Sequence, residues 1–296
     1  MSWIDRRHLG RTLTVLTDAS VEDVLRVRGH VAPGGAQTNR IGITGPPGAG
    51  KSTLVALLAR HRLGNVGTIG VLAVDPTSPV SGGSVLGDRV RIDALLSDER
   101  LFVRSVPSRA DQQGVTDNLS DLLAAFEAEG PAEIIVETVG VGQANYGIRE
   151  LVDTVVVIVP PGAGDGVQAM KAGILEIGDI YVVTKADLPS AEPLAEELAA
   201  TISHAPGGSW QPRVLLTSKA DDRGVAALSS AIDEHRRHLA ATIDPVARQR
   251  ARARNDIERL IVREIREAMN GLPAATWDLP LEGSHALVHA ALTKKR

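Results

Sequence analysis

The run Gly45-Pro46-Pro47-Gly48-Ala49-Gly50-Lys51-Ser52 decides the fold. It satisfies G-x-x-x-x-G-K-[ST] at every fixed position. An apolar stretch, Ile41-Gly42-Ile43-Thr44, precedes it, and a helical pattern opens at Thr53. Strand, glycine-rich turn and helix start, in that order, build a cradle for phosphate. The glycines let the backbone wrap an anion with its N–H groups inward, and the helix N-terminus adds positive potential. Gly45, Pro46, Pro47, Gly48, Ala49, Gly50, Lys51, Ser52 and Thr53 are the expected nucleotide-binding residues. Lys51 is expected to reach the β and γ phosphates and to serve catalysis, and the Ser52 hydroxyl to ligate Mg²⁺. In a chain of this length the bare pattern arises by chance roughly once in a hundred, and the flanking elements lower that further.

Working outward, short β-branched runs alternate with helical stretches. The runs lie at residues 41–44, 68–75, 101–106, 133–138, 154–160, 180–184 and 214–217. Most are apolar throughout, as in strands covered on both faces. Helices are expected after Ser52 and around 115–129, 167–177, 190–203 and 225–239. The alternation predicts an α/β fold: a P-loop domain with a mainly parallel sheet between helix layers. A helical element precedes it, with Ser20 as N-cap and Val21, Val24 and Leu25 on one face. Residues 32–37 read as a loop. Asp244-Pro245 starts a long helix to about Met269, with Ile257, Leu260, Ile261 and Ile265 as an apolar stripe. Residues 271–296 are weakly patterned. The expected organisation is a helical element (1–37), a P-loop domain (38–240) and a C-terminal helical arm (241–296).

Three strand ends carry candidate chemistry. Asp75 ends an apolar run at the edge where such sheets bind ligands. It reads either as a Mg²⁺ ligand, direct or through water, or as a strand-end turn acid. Asp88 closes the glycine-rich stretch Ser81-Gly82-Gly83-Ser84-Val85-Leu86-Gly87 and reads as a second acid for the metal or as a helix N-cap. In Glu137-Thr138-Val139-Gly140 an acid precedes glycine by three, the form of a γ-phosphate sensor. Gly140 N–H would bond the γ-phosphate, and Glu137 would hold metal or the attacking water. Thr184-Lys185-Ala186-Asp187 resembles the guanine-reading Asn-Lys-x-Asp, with Thr for Asn. A carboxylate at Asp187 accepts from N1–H and the N2 amino group of guanine together, a donor pair adenine lacks. The Lys185 stem would lie along the base. Thr217-Ser218-Lys219 reads as a loop over the base, contributing Ser218 and Lys219, or as an ordinary polar turn.

Composition narrows the classes. The chain has 296 residues, 43% hydrophobic, 2% aromatic, and a net charge of −4. The acidic balance and few aromatics argue against nucleic acid as a partner. The arginines at 248, 250, 252 and 254 sit two apart, which spreads them around a helix and suggests a solvated or partner-facing surface. Without cysteine, thiolate zinc and iron–sulfur sites are excluded. The histidines at 8, 61, 204, 235, 238, 285 and 289 show no metal spacing. A charged start, MSWIDRRHLG, and the lack of ~18 consecutive apolar residues lead us to expect no membrane span and a cytoplasmic location.

The phosphate motif, the Asp-Pro-Thr-Ser and Gly-Gly-Ser-Val-Leu-Gly-Asp of residues 71–88, and Glu137-Thr138-Val139-Gly140-Val141-Gly142-Gln143 together resemble the MeaB/ArgK-type GTPases. So does Pro161-Gly162-Ala163-Gly164-Asp165-Gly166-Val167-Gln168-Ala169-Met170-Lys171-Ala172-Gly173-Ile174. The last two motifs are specific, because general GTPases lack them. The resemblance is strong from about Arg40 to Asp187. It implies a chaperone that hydrolyses GTP to GDP with Mg²⁺ and gates loading and protection of an adenosylcobalamin-dependent acyl-CoA mutase, such as methylmalonyl-CoA mutase. It implies that Asp75, Asp88 and Glu137 organise Mg²⁺ and switch loops, and that residues 162–171 form a third switch. Lys171, otherwise a solvated helix residue, would bring positive charge to the transferring phosphoryl group. It also implies a homodimer through C-terminal helices. Departures are Thr184, a less glycine-rich segment at 108–114, and a somewhat short chain. Turnover without the partner is expected to be slow. Two other classes compete: a GTP-dependent metal-insertion factor, disfavoured by the lack of Cys and of a His-rich tract, and a small-molecule kinase, which would need an acceptor pocket with a base.

Overall fold

A computed structural model of the chain describes residues 4–28, 38–76, 98–108, 118–138, 144–162, 176–203, 209–219 and 222–294. All seven expected strands form: β1 (Asn39–Thr44), β2 (Ile69–Pro76), β3 (Leu101–Ser108), β4 (Glu133–Glu137), β5 (Thr154–Val159), β6 (Ile180–Val183) and β7 (Arg213–Leu216). They make one sheet in the order β3-β2-β4-β1-β5-β6-β7, and every neighbouring pair is parallel. β1, β4 and β5 are buried along their whole length, which is why their sequences do not alternate. The chain leaves β1 toward β2 on one side and later crosses to β5 on the other. The phosphate motif therefore opens at the topological switch point, where such sheets leave a crevice.

Alternate side chains feed two cores. Ile41, Ile43, Ile135, Val156 and Ile158 pack with α3 (Lys51–Val66) and with the last of the helices that follow the strands, Asp222–Thr242. Leu72, Val74, Val136, Val155 and Val157 pack against the opposite layer. That layer holds α1 (Arg6–Thr17), α2 (Val21–Arg28), α4 (Leu119–Ala128), α5 (Ala144–Arg149) and α6 (Ala191–Ser203), and the Asp222–Thr242 helix is α7. α1 was not singled out from the sequence. Its Asp5 cap accepts from the Arg7 and His8 N–H groups at 3.0 Å each, and Leu9, Leu13 and Leu16 enter the same core as the sheet. In α2, Ser20 and Asp23 form the expected reciprocal cap, with Asp23 N–H on Ser20 Oγ at 3.2 Å and Ser20 N–H on Asp23 Oδ2 at 3.3 Å. Val21 and Val24 are buried, but Leu25 is 53% exposed. The buried face is centred on Val24 and continues to Val27, and Leu25 sits about 100° round from Val24.

Beneath the sheet, Arg62 of α3 is 0% exposed. Its Nε donates to Glu133 Oε2 at 2.6 Å, and other N–H groups reach Ser229 O at 3.0 Å and Asp233 Oδ1 at 2.8 Å. Burial works against the guanidinium charge, yet the hydrogen bond and ion pair with Glu133 hold its pKa above the usual arginine range. This pair pins α3 to β4 and α7.

The arm is α8 (Pro245–Asn270), followed by a short 3₁₀ turn (Ala274–Asp278) and α9 (Leu281–Lys294), which the weak pattern after Gly271 did not reveal. Asp244 caps α8 with Pro245 at its first position, as expected. The arginines, expected on a solvated or partner-facing surface, divide between the domain and solvent. Arg248 and Arg252 face the domain and pair with Asp153, while Arg250 and Arg254 are exposed. Residues 248, 252, 256, 259, 263 and 267 form one helical face, and that face is polar. Ile257 and Ile261 are 54% and 50% exposed, whereas Leu260 packs against the core. Among the described residues no helix is long and apolar enough to cross a membrane.

Arg62→Ala should lower the unfolding free energy by about 3–5 kcal/mol, because Glu133 would be left buried without its counter-charge. Urea denaturation measures this, and a loss below about 1 kcal/mol would show that the pair does not hold the α3–β4–α7 junction.

Candidate nucleotide site

Gly45 leaves β1 with φ 152°. A Cβ there would lie 2.5 Å from the Ile158 carbonyl oxygen of β5, so only glycine lets the loop pass. Gly48 and Gly50 also take positive φ, at 72° and 91°, and Gly50 is the α3 N-cap without a capping side chain. The first N–H groups of α3 thus open onto the crevice. Lys51 Nζ donates to the Gly45 and Pro46 carbonyls at 3.0 Å each, which holds the ammonium against the loop it is expected to serve. Ala49 is fully buried, and its N–H reaches Pro46 O at 3.3 Å.

The Ser52 hydroxyl donates to Glu137 Oε1 at 2.7 Å. Both residues are only 6% exposed. Two residues expected at the metal from motifs 85 positions apart therefore meet in space. Register explains it: Glu137 pairs with Ile43 of β1 and with Ala73 of β2, so β4 ends beside the phosphate loop. The backbone of Asp75 stands two residues past Ala73 at the same edge. A hydroxyl and a carboxylate are hard oxygen donors, and their approach fits Mg²⁺. Asp88, Gly140 and Lys171 lie outside the described residues, as do residues 163–170 of the segment read as a third switch and most of the helix expected at 167–177.

The base end is a cavity of about 690 Å³, ample for a nucleotide. Gly48, Ala49, Gly50 and Thr53 line one side, and Thr184, Lys185, Asp187, Ser218 and Lys219 the other. Lys185 takes φ 55°, uncommon for a residue with a Cβ and characteristic of functional turns. Two bonds fix that turn: Ala186 N–H to Thr217 O at 3.0 Å and Leu188 N–H to Lys185 O at 2.9 Å. The Thr184 hydroxyl donates to Ala49 O at 2.8 Å, and the Ser218 hydroxyl to Asp187 Oδ1 at 3.1 Å. Sequence reading did not assign Thr217, nor Leu54, Ala56, Leu57 and Arg60 of α3, which also line this cavity. Positions 53, 56, 57 and 60 share one helical face, a signal that was available from Thr53 onward.

Known proteins match this arrangement. The family model described as methylmalonyl-CoA mutase-associated GTPase MeaB matches residues 10–273. The chain belongs to the MeaB family. It is therefore a P-loop GTPase, and membership implies that it binds GTP and GDP. A Pyrococcus horikoshii relative is 37% identical over 262 residues, 87% of this chain and 82% of that one. GTPase ArgK of Escherichia coli is 38% identical over 221 residues, 72% of this chain and 66% of ArgK. The mouse methylmalonic aciduria type A homolog, mitochondrial, is 32% identical over 249 residues, 82% of this chain and 60% of that protein. The fold also matches a crystal structure titled LAO/AO transport system kinase, with TM-score 0.63 and 23% identity over 97% of this chain and 98% of that one.

Within this MeaB-family site, Asp187→Asn should weaken GTP binding on the order of 100-fold, through loss of two charge-assisted bonds, and should improve xanthosine triphosphate relative to GTP. Competition against a fluorescent guanine nucleotide measures both. Unchanged selectivity would place base recognition elsewhere.

Proposed function

We propose that this GTPase is a chaperone of an adenosylcobalamin-dependent acyl-CoA mutase, methylmalonyl-CoA mutase or a relative, and that its nucleotide state gates cofactor loading and protection. The family description, mutase-associated GTPase, supports the partner class. The observation that carries the mechanism is the Ser52–Glu137 hydrogen bond. It joins the phosphate loop to the end of β4, and hence to the segment that runs through Gly140 into α5.

In this reading Lys51 and the N–H groups of residues 45–52 hold the phosphates, and Ser52, Glu137, Asp75 and Asp88 would hold Mg²⁺. When bound, Mg²⁺ would offset charge on the β and γ phosphate oxygens. Glu137 orients at the phosphate edge, Gly140 senses the γ-phosphate, and Lys171 brings positive charge toward the transferring group. Loss of the γ-phosphate releases the contacts made by residues 137–143. The segments 75–88, 137–143 and 162–171 form the mutase-facing surface. Asp187 selects guanine, with Lys185 along the base and Ser218 and Lys219 closing over it. The protein works in the cytoplasm.

The test is phosphate release from GTP and from ATP, with and without a B12-dependent acyl-CoA mutase of the same source. Slow, GTP-selective hydrolysis that the mutase accelerates at least several-fold supports the proposal. No acceleration by any such mutase rejects the partner, and phosphate appearing on an acceptor rather than in solution would make the protein a kinase.

We propose further that two copies pair through α8, whose outward Val246, Ile257, Ile261 and Val262 are all exposed. Four large aliphatic side chains on one arm are costly to leave in water. Ile257→Glu with Ile261→Glu should turn a dimer into a monomer in sedimentation equilibrium while GDP binding persists. A dimer that survives both changes would exclude this face.

A further inference from the structure

We infer that Thr184 makes this a guanine site that does not donate a hydrogen bond to purine N7, so that 7-deazaguanine nucleotides bind as well as natural ones. The inference rests on the guanine reading of Asp187.

Guanine offers N1–H and its N2 amino group on one edge and the acceptors N7 and O6 on the other. With the first edge on Asp187 and the phosphates in the loop, the imidazole ring with N7 turns toward the phosphate-loop side. Thr184 stands on that side, three residues before Asp187 and in contact with Ala49. An amide there would have two protons, one for a loop carbonyl and one for N7. A threonine hydroxyl has one. The Ala49 carbonyl can only accept, so at 2.8 Å the hydroxyl proton is committed to it. What Thr184 then turns toward the base is lone pair, which gives nothing to N7.

A second buried hydroxyl of the base end, that of Ser218, is committed in the same way. Ser218 donates to Asp187 Oδ1 at 3.1 Å, and a carboxylate also only accepts. Thr184 and Ser218 are both under a tenth exposed, so neither bond is readily exchanged for water. Threonine thus keeps the structural half of an amide's work, tying β6 to the phosphate loop, and drops the base-reading half. Base selectivity concentrates on the carboxylate edge.

The test compares GTP with 7-deaza-GTP as competitors of a fluorescent GDP analogue on the full-length protein. The wild type should bind the two within about twofold. Thr184→Asn should prefer GTP over 7-deaza-GTP by about fivefold, the worth of one recovered hydrogen bond. Thr184→Val, which keeps the shape and loses the tie to Ala49, should weaken both nucleotides equally. A wild-type preference for GTP of fivefold or more overturns the inference, and so does a Thr184→Val loss confined to GTP. ATP binding as tight as GTP would remove the guanine reading and the inference with it, and only that outcome touches both. If the asparagine variant does not fold, the wild-type ratio still decides.

Discussion

A phosphate loop is almost all backbone, so its shape depends on what it leans against. Here it leans on three strand ends, each through a different contact. Gly45 passes so close to the Ile158 carbonyl of β5 that a Cβ would sit 2.5 Å away. Ser52 reaches Glu137 at the end of β4 at 2.7 Å, and Ala49 O receives the Thr184 hydroxyl just past β6 at 2.8 Å. β1 delivers the loop, and β4 and β5 flank β1 on either side. A parallel sheet brings all these carboxyl ends to one edge. The long-range side-chain contacts of the site, Ser52 to Glu137 and Thr184 to Ala49, therefore follow from the sheet. They need the register Ile43–Glu137 and Ile43–Val156, and the two apolar cores fix that register by alternation. A slip of one residue would turn Glu137 away from Ser52 and bury it in the opposite layer.

How much of this was legible follows from the range of each interaction. The strands were readable because burial on both faces leaves unbroken apolar runs, as in Thr154-Val155-Val156-Val157-Ile158-Val159. The phosphate loop was readable because its chemistry is local. The Ser52–Glu137 meeting could be expected only as a shared metal role, since the pairing of β1 with β4 rather than β2 is a topological fact that neither segment encodes alone. α1 was missed although Leu9, Leu13 and Leu16 repeat at helical spacing behind the Asp5 cap, a local signal that the sequence carries. α9 has little amphipathic contrast, so no face stood out.

The way α8 lies on the domain has a physical reason. An apolar stripe is expected to face the body of the protein, and here Ile257 and Ile261 point outward. The groove that receives the helix is lined by acids: Asp121 on α4, Glu150 and Asp153 beyond α5, and Glu127 at the end of α4. A basic face adds counter-charge to these carboxylates, which an apolar face could not do. Arg252 pairs with Asp153, Arg259 with Glu150 at 2.8 Å and Arg263 with Asp121 at 3.1 Å. Asp256 receives Arg28 of α2 at 2.8 Å.

These pairs define position more than they add stability. Partly buried ion pairs lose in desolvation much of what they gain in attraction. Arg252 nevertheless meets Asp153 and Glu127, Arg259 meets Glu150 and Arg263 meets Asp121, and those acids are spread over α4 and the segment just past α5. Sliding α8 by one turn, about 5.4 Å, would bring Asp256 toward Glu150 or Asp153 and strand at least one buried carboxylate. The arm is therefore held in a single register by charge, while its apolar face is left turned away from the domain. A hydrophobic attachment would have reversed both properties: tighter to the domain, looser in register, and with no apolar surface to offer.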